Sequence, residues 1–237
     1  MKKIIITGGL GYIGTELCKI YSGFSWNDKI TVIDNRFISE RVNQIRNWNM
    51  NFIQGDILDK DLINEHCKDA DIVHHLAGIT DVPRVKSEST FEKEEFIRKV
   101  AEEGTQNILD AINDECKIIM PSSHVVYEGL DNIKKNIKED EKTCPILAYG
   151  KSKDINEKQL KNSGKNFVIL RLASVYGYST DTARIDIMAN FFAKTASQNG
   201  TLRLFAAGKQ IKSLVPLIDV ARCFKFMEER EDINQEL

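Results

Sequence analysis

The sequence predicts a doubly wound α/β fold, and three observations predict it. Short apolar runs alternate with longer segments of helical periodicity, the pattern of crossover units on a parallel sheet. The first run, Ile4-Ile5-Ile6, leads directly into Thr7-Gly8-Gly9-Leu10-Gly11-Tyr12-Ile13-Gly14, which reads as a buried strand, a glycine turn and a helix start. An acid, Asp34, then closes the second run 20 residues beyond Gly14.

Taken in order, the strands are expected at Lys2 to Thr7, Lys29 to Asp34, Asn51 to Gln54, Asp71 to His75, Lys117 to Met120 and Phe167 to Arg171. Helices are expected at Ile13 to Tyr21, Lys60 to Cys67, Glu92 to Asn113 and Ile146 to Asn162. Beyond Arg171 the rhythm loosens into a Gly/Tyr/Ser/Thr stretch at Gly177 to Thr182, a helix over Arg184 to Gln198 and strand candidates near Leu202 and Ile211. The four prolines, Pro83, Pro121, Pro145 and Pro216, fall where elements are expected to begin or end. The expected division is a dinucleotide-binding domain over 1–175, with 212–230 packing back on it, and a partial substrate lobe over 176–211.

A chain of 237 residues, 42% hydrophobic, suffices for one sizeable core or one domain with a small lobe. Lys plus Arg number 33 against 35 for Asp plus Glu, a net charge of −2 that gives no electrostatic case for a nucleic-acid binder. Clusters such as Lys134-Lys135 and Glu139-Asp140-Glu141 read as a solvated loop. Met1-Lys2-Lys3 runs straight into the first strand with no signal-peptide pattern, and no apolar stretch approaches the ~20 residues of a membrane span. Cys18, Cys67, Cys116, Cys144 and Cys223 are scattered and form no Cys-x-x-Cys pair, so reduced thiols in a cytoplasmic protein are expected. With His66, His74, His75 and His124 as the only histidines, no metal-ligand constellation stands out.

The glycine loop carries the first chemistry. A strand feeding such a turn aims the free N–H groups of the following helix at one point, where a pyrophosphate can sit. Gly8 suits the tight turn, Gly11 lets backbone approach phosphate, and Gly14 lets helix pack on strand. The spacing here is Gly-x-x-Gly-x-x-Gly. Asp34 can accept hydrogen bonds from an adenosine ribose and would repel a 2′-phosphate, which favours NAD; Arg36 nearby is the feature that would suit NADP.

The second signal is Tyr149 with Lys153, spaced i, i+4 so that both lie on one helical face. A free tyrosine titrates near ~10, too high for a base at neutral pH, but a neighbouring ammonium favours the phenolate. Ser122-Ser123 follows the fifth strand at the carboxyl edge, where ligands bind in such sheets.

Together these segments resemble the extended short-chain dehydrogenase/reductases of the NAD-dependent epimerase/dehydratase group, which act on nucleotide sugars. The matching residues are the glycine loop, Asp34-Asn35, Gly55-Asp56-Ile57, His75-Leu76-Ala77-Gly78, Ser122-Ser123, Tyr149 with Lys153, and Arg171-Leu172-Ala173-Ser174-Val175-Tyr176-Gly177. The resemblance covers the chain from its start to about Ala221. It implies a Rossmann-type fold with a small, truncated C-terminal substrate lobe. It also implies a cofactor site of Gly8, Gly11, Tyr12, Ile13, Gly14, Asp34, Asn35 and Arg36, with Asp56 and Ile57 bordering adenine and Leu76, Ala77 and Gly78 further along. Ser123, Tyr149 and Lys153 would be catalytic, and Lys153 would also bond the nicotinamide ribose. A homodimer through the two long helices is implied as well.

Departures from the family pattern narrow the reaction. Where the dehydratases carry an Asp-Glu pair, this chain has His124 and Val125, and a valine can serve neither as acid nor as base. Common asparagines are replaced by Ala101 and Ser174, and the arginine that grips the diphosphate by Lys212, which keeps charge but loses bidentate geometry. His124 is expected to shape the sugar pocket or hydrogen-bond locally, and His74 and His75 to pack in the core. Relatives usually continue well past the Asp219-Val220-Ala221 helix, whereas this chain stops at Leu237. The expected activity is NAD-dependent epimerisation of a nucleotide sugar. The alternatives are a net reductase or dehydrogenase and a non-catalytic dinucleotide sensor.

Overall fold

Strand β1 (Lys3–Thr7) shows why the sheet is buried on both faces. Ile4 and Ile6 point to one side and Ile5 to the other, and none is exposed. The computed structural model describes residues 1–24, 27–80, 90–131, 134–180, 184–185, 187–209 and 211–237. Pro83, the Asp181-Thr182 end of the Gly177 to Thr182 stretch, and Gln210 lie outside them.

Around β1 stand β2 (Lys29–Asp34), β3 (Asn51–Gln54), β4 (Ile72–His75), β5 (Lys117–Ser123) and β6 (Asn166–Leu172), all parallel, in the order β3-β2-β1-β4-β5-β6. The order reverses between β1 and β4, and such a reversal opens a crevice at the carboxyl ends of the strands. Helices α1 (Tyr12–Phe24) and α2 (Ser39–Asn47) cover the face of Ile4, Ile6, Val32 and Ile119. Helices α3 (Lys60–Cys67), α4 (Phe91–Ala111) and α5 (Ala148–Asn162) cover the face of Ile5, Val73, Ile118 and Ile169. Two short parallel strands, β7 (Ser174–Tyr176) and β8 (Leu214–Pro216), and helix α6 (Met188–Ser197) follow. Helix α7 (Leu217–Glu229) returns to the first face, burying Leu217, Val220, Ala221 and Phe224 against the α1 side of the core. Among the described residues no helix is long and apolar enough to cross a membrane, and no three His, Cys, Asp or Glu residues form a metal-binding group.

Four expectations need correction. Helix α2 is absent from the sequence reading because only Val42 and Ile45 of its nine residues are buried, too faint a stripe to register as periodic. Strand β5 runs three residues past Met120, so Ser122-Ser123 end the strand instead of following it. Pro121 lies inside that strand, where β5 has already lost β4 as a partner and pairs only with β6, so its missing N–H breaks no ladder on that side. Among the described residues no strand forms near Leu202, whose neighbours 201–204 are exposed. The one expected near Ile211 forms later, as β8, where β7 offers a pairing edge.

Candidate active site

The carboxyl ends of the strands open into a cleft of about 650 Å³. At its base the Gly8 N–H donates to the Ile33 carbonyl at 2.7 Å, and Gly8 adopts φ +69°. A β-carbon there would meet the Ala77 backbone at 2.7 Å, so this turn requires glycine. The Thr15 N–H reaches the Gly11 carbonyl at 2.9 Å. Tyr12, Ile13 and Gly14 therefore supply the orphan N–H groups of a helix start, and no acid occupies that first turn. The arrangement is a cradle for an anion.

Asp34, 6% exposed at the end of β2, braces this cradle. Its carboxylate accepts the Leu10 N–H at 2.9 Å and the Arg36 N–H at 3.0 Å, and the Arg36 Nε lies 3.4 Å away. The guanidinium expected to suit a 2′-phosphate is thus engaged with Asp34. The Asn35 amide donates to Asp56 at 3.0 Å, Asp56 in turn accepts the Leu58 N–H at 2.9 Å, and the Ile57 carbonyl accepts the Asn107 amide at 3.0 Å. These bonds fix the wall expected beside adenine.

Beyond it the loop after β4 is tied to β1. The Ala77 N–H donates to the Thr7 hydroxyl at 3.2 Å, Thr7 lies 2.9 Å from His75 Nδ1, and His75 Nε2 lies 3.0 Å from the Thr105 hydroxyl on α4. The Asn156 amide of α5 donates to Thr105 at 2.8 Å. Burial drives the His75 imidazole down to about 3, with the Lys153 charge adding to the effect, so the ring is neutral and relays hydrogen bonds from the glycine loop to α5. His74 faces the opposite side of the sheet, 2.7 Å from the Tyr21 hydroxyl, which donates to Glu228.

The three expected catalytic side chains line the same cleft. The Ser123 hydroxyl caps a short 3-10 turn, His124–Tyr127, by accepting the Val125 N–H at 3.4 Å. The Lys153 ammonium lies 5.9 Å from the centre of the Tyr149 ring, one helical turn away on α5. Burial brings Lys153 down to about 8, opposed by Glu157. Burial also pushes the Tyr149 phenol above its ordinary value, against the pull of the Arg184 guanidinium and the Ser123 hydroxyl. His124, expected to shape the pocket or bond locally, bonds the Leu172 carbonyl through Nδ1 at 3.1 Å while lining the cleft. Ser174 and Lys212 lie on the cleft wall as well, and the Ser174 N–H donates to the Ser213 carbonyl at 3.1 Å.

Tyr12 has a second task. Its hydroxyl donates to the Gly177 carbonyl at 2.5 Å and accepts from the Asn190 amide of α6 at 3.1 Å, joining α1 to the segment after β7. Three charged residues of the region escaped the sequence reading. Glu128 and Arg184 line the cleft, and Glu157 lies beneath it. Partial burial raises the Glu128 carboxyl, although His124 and Lys212 pull it down. Only Glu157 carried a sequence signal, its i+4 spacing from Lys153.

Residues 4–236 match the family model described as the NAD dependent epimerase/dehydratase family. The chain belongs to that family. Among curated relatives of this epimerase/dehydratase chain, the dTDP-D-glucose 4,6-dehydratase of Dictyostelium discoideum is 26% identical over 255 residues, a match covering 99% of this chain and 57% of that protein. The CDP-paratose 2-epimerase of Salmonella typhi is 26% identical over 253 residues, covering 92% of this chain and 72% of the relative. Among solved structures, the UDP-glucuronic acid 4-epimerase of Bacillus cereus, in complex with UDP-glucuronic acid and NAD, superposes with a TM-score of 0.80 at 26% identity. That superposition covers 99% of this chain and 76% of the other. The epimerase/dehydratase chain thus spans between about half and three quarters of these relatives' lengths.

Proposed function

We propose that this protein is an NAD-dependent epimerase of a nucleotide sugar. One observation carries the reading: Ser123, Tyr149 and Lys153 converge in the cleft that also holds the glycine cradle and Asp34. The donor set fits a dinucleotide. The N–H groups of Tyr12, Ile13 and Gly14 would hold its pyrophosphate, Asp34 its adenosine ribose, and Lys153 its nicotinamide ribose. When bound, NAD supplies the hydride acceptor and then the hydride donor for one sugar carbon.

The chain's own residues handle the proton. Tyr149, as a phenolate favoured by the Arg184 charge and the nearby Lys153 ammonium, takes it from the sugar hydroxyl and becomes the phenol. Ser123 donates a hydrogen bond to the oxygen as it becomes a ketone. Tyr149 returns the proton once the opposite face of the sugar has been presented. Lys212 and His124 line the part of the cleft proposed for the sugar diphosphate.

Epimerisation is preferred to dehydration because elimination needs an acid and a base together. At the positions following Ser123 this chain offers His124 and Val125, and Glu128 is a single carboxyl further along the same wall. Exposed Phe91 and Phe96 on α4 support the accompanying proposal of a homodimer. In Tyr149→Phe, turnover is expected to fall by about 10²-fold or more while the cofactor still binds, measured by product chromatography and by titration of bound NAD. Unchanged turnover would overturn the catalytic assignment.

A further inference from the structure

We infer that Glu157 is a positioning residue for the Tyr149 and Lys153 pair, supplying the buried counter-charge that keeps Lys153 an ammonium and anchoring α5 against β5. The inference rests on the catalytic reading above. Glu157 follows Lys153 by one helical turn, on the same face of α5, and its side chain is 2% exposed. One carboxylate oxygen accepts the Ser122 hydroxyl at 2.5 Å and the Arg171 Nε at 2.9 Å, and the other accepts the second Arg171 donor at 2.6 Å. Arg171 is itself held by the Glu139 carbonyl at 2.9 Å and by the Tyr127 hydroxyl. The carboxylate therefore grips the residue next to Ser123 while it lies one turn below Lys153.

A buried ion pair is weak evidence for stability, because desolvating both charges offsets most of their attraction. Its placement is more informative. Lys153 is 8% exposed, and the groups that face it are Tyr149 and Glu157 from its own helix and His75 from β4. His75 is neutral, so Glu157 is the carboxylate that acts on Lys153 among the described residues. Facing Glu157 are Arg171 from β6 and Lys161 from α5, the latter 3.8 Å away. Neighbouring Asp154 is turned to Lys158 and Thr143. An ammonium already brought near neutrality by burial changes its charge state with a modest change in that field.

The test is a direct titration of Lys153 in the full chain without cofactor, by competitive acetylation with acetic anhydride across roughly pH 6 to 10, on either side of about 8, to which burial brings the ammonium. Removing the negative charge in Glu157→Gln is expected to move the Lys153 midpoint down by about one pH unit, and Glu157→Asp is expected to restore most of it. Where the single variant fails to fold, Glu157→Gln with Arg171→Gln removes the Arg171 charge that the single variant would strand, and a smaller downward movement of Lys153 is expected. A Lys153 midpoint that stays put in the folded Gln variant would overturn the inference, since a merely structural role predicts lost stability and no such displacement. This titration needs no turnover. Its failure is therefore separate from failure of the catalytic reading, which the Tyr149→Phe turnover assay judges.

Discussion

Asp34 illustrates how one carboxylate serves both structure and recognition. It accepts the Leu10 and Arg36 N–H groups, fixing the glycine loop, and the oxygen that accepts Leu10 keeps a further lone pair for a ribose hydroxyl. Asp34→Ala is expected to weaken NAD binding at least tenfold, a loss of about 1.4 kcal/mol or more, as read by isothermal titration. Unchanged affinity would remove Asp34 from the cofactor site. Most of these side chains were legible because their chemistry depends on short-range spacing. Gly8, Gly11 and Gly14 lie within seven residues, and Tyr149 and Lys153 one helical turn apart. Glu128 and Arg184 were not, because they reach the cleft through the 3-10 turn after β5 and through the segment between β7 and α6, whose paths no local periodicity encodes.

The glycine turn and the link from α1 to the segment after β7 matter most at the level of elements. A β-carbon at Gly14 would lie 2.5 Å from the Gly8 carbonyl oxygen and 2.6 Å from the Gly9 Cα, so α1 can approach β1 only with glycine there. Gly14→Ala is expected to destabilise the fold by about 1–3 kcal/mol in urea unfolding, and a neutral result would contradict the packing. The Tyr12 hydroxyl ties α1 to Gly177 and Asn190. Tyr12→Phe is expected to cost about 1 kcal/mol and to raise KM for the sugar more than it lowers kcat. The central strands were legible because each is an apolar run buried on both faces. Helix α2 and strand β8 were not, because α2 buries two side chains and β8 exists through its pairing with β7.

Across the whole molecule, the two faces of the sheet each bury a polar network, and both respond to acid. His75 is held neutral down to about 3, whereas in the unfolded chain it protonates near ~6.5. Between those values the unfolded chain binds the extra proton, so stability falls as pH drops through that window. Against the effect of burial, Glu228 is held down to about 2 by His74, Tyr21 and Lys225, and its contribution is present above the ordinary carboxylate range and lost as pH falls toward 2. His75→Gln is expected to flatten the decline in urea-derived stability between about pH 6.5 and 4, and a slope parallel to the unsubstituted protein would contradict that assignment. The doubly wound class was legible from the alternation of runs, and the strand order the chain adopts brings the ends of β1, β2, β4 and β5 to one cleft. The most direct test of the proposed activity is turnover of the purified protein with NAD and a panel of UDP-, GDP-, CDP- and dTDP-sugars, with chromatography of the products and absorbance recorded at the NADH band. A new stereoisomer with no net NADH is the predicted result. Stoichiometric NADH release, or bound cofactor with every sugar unchanged, would contradict it.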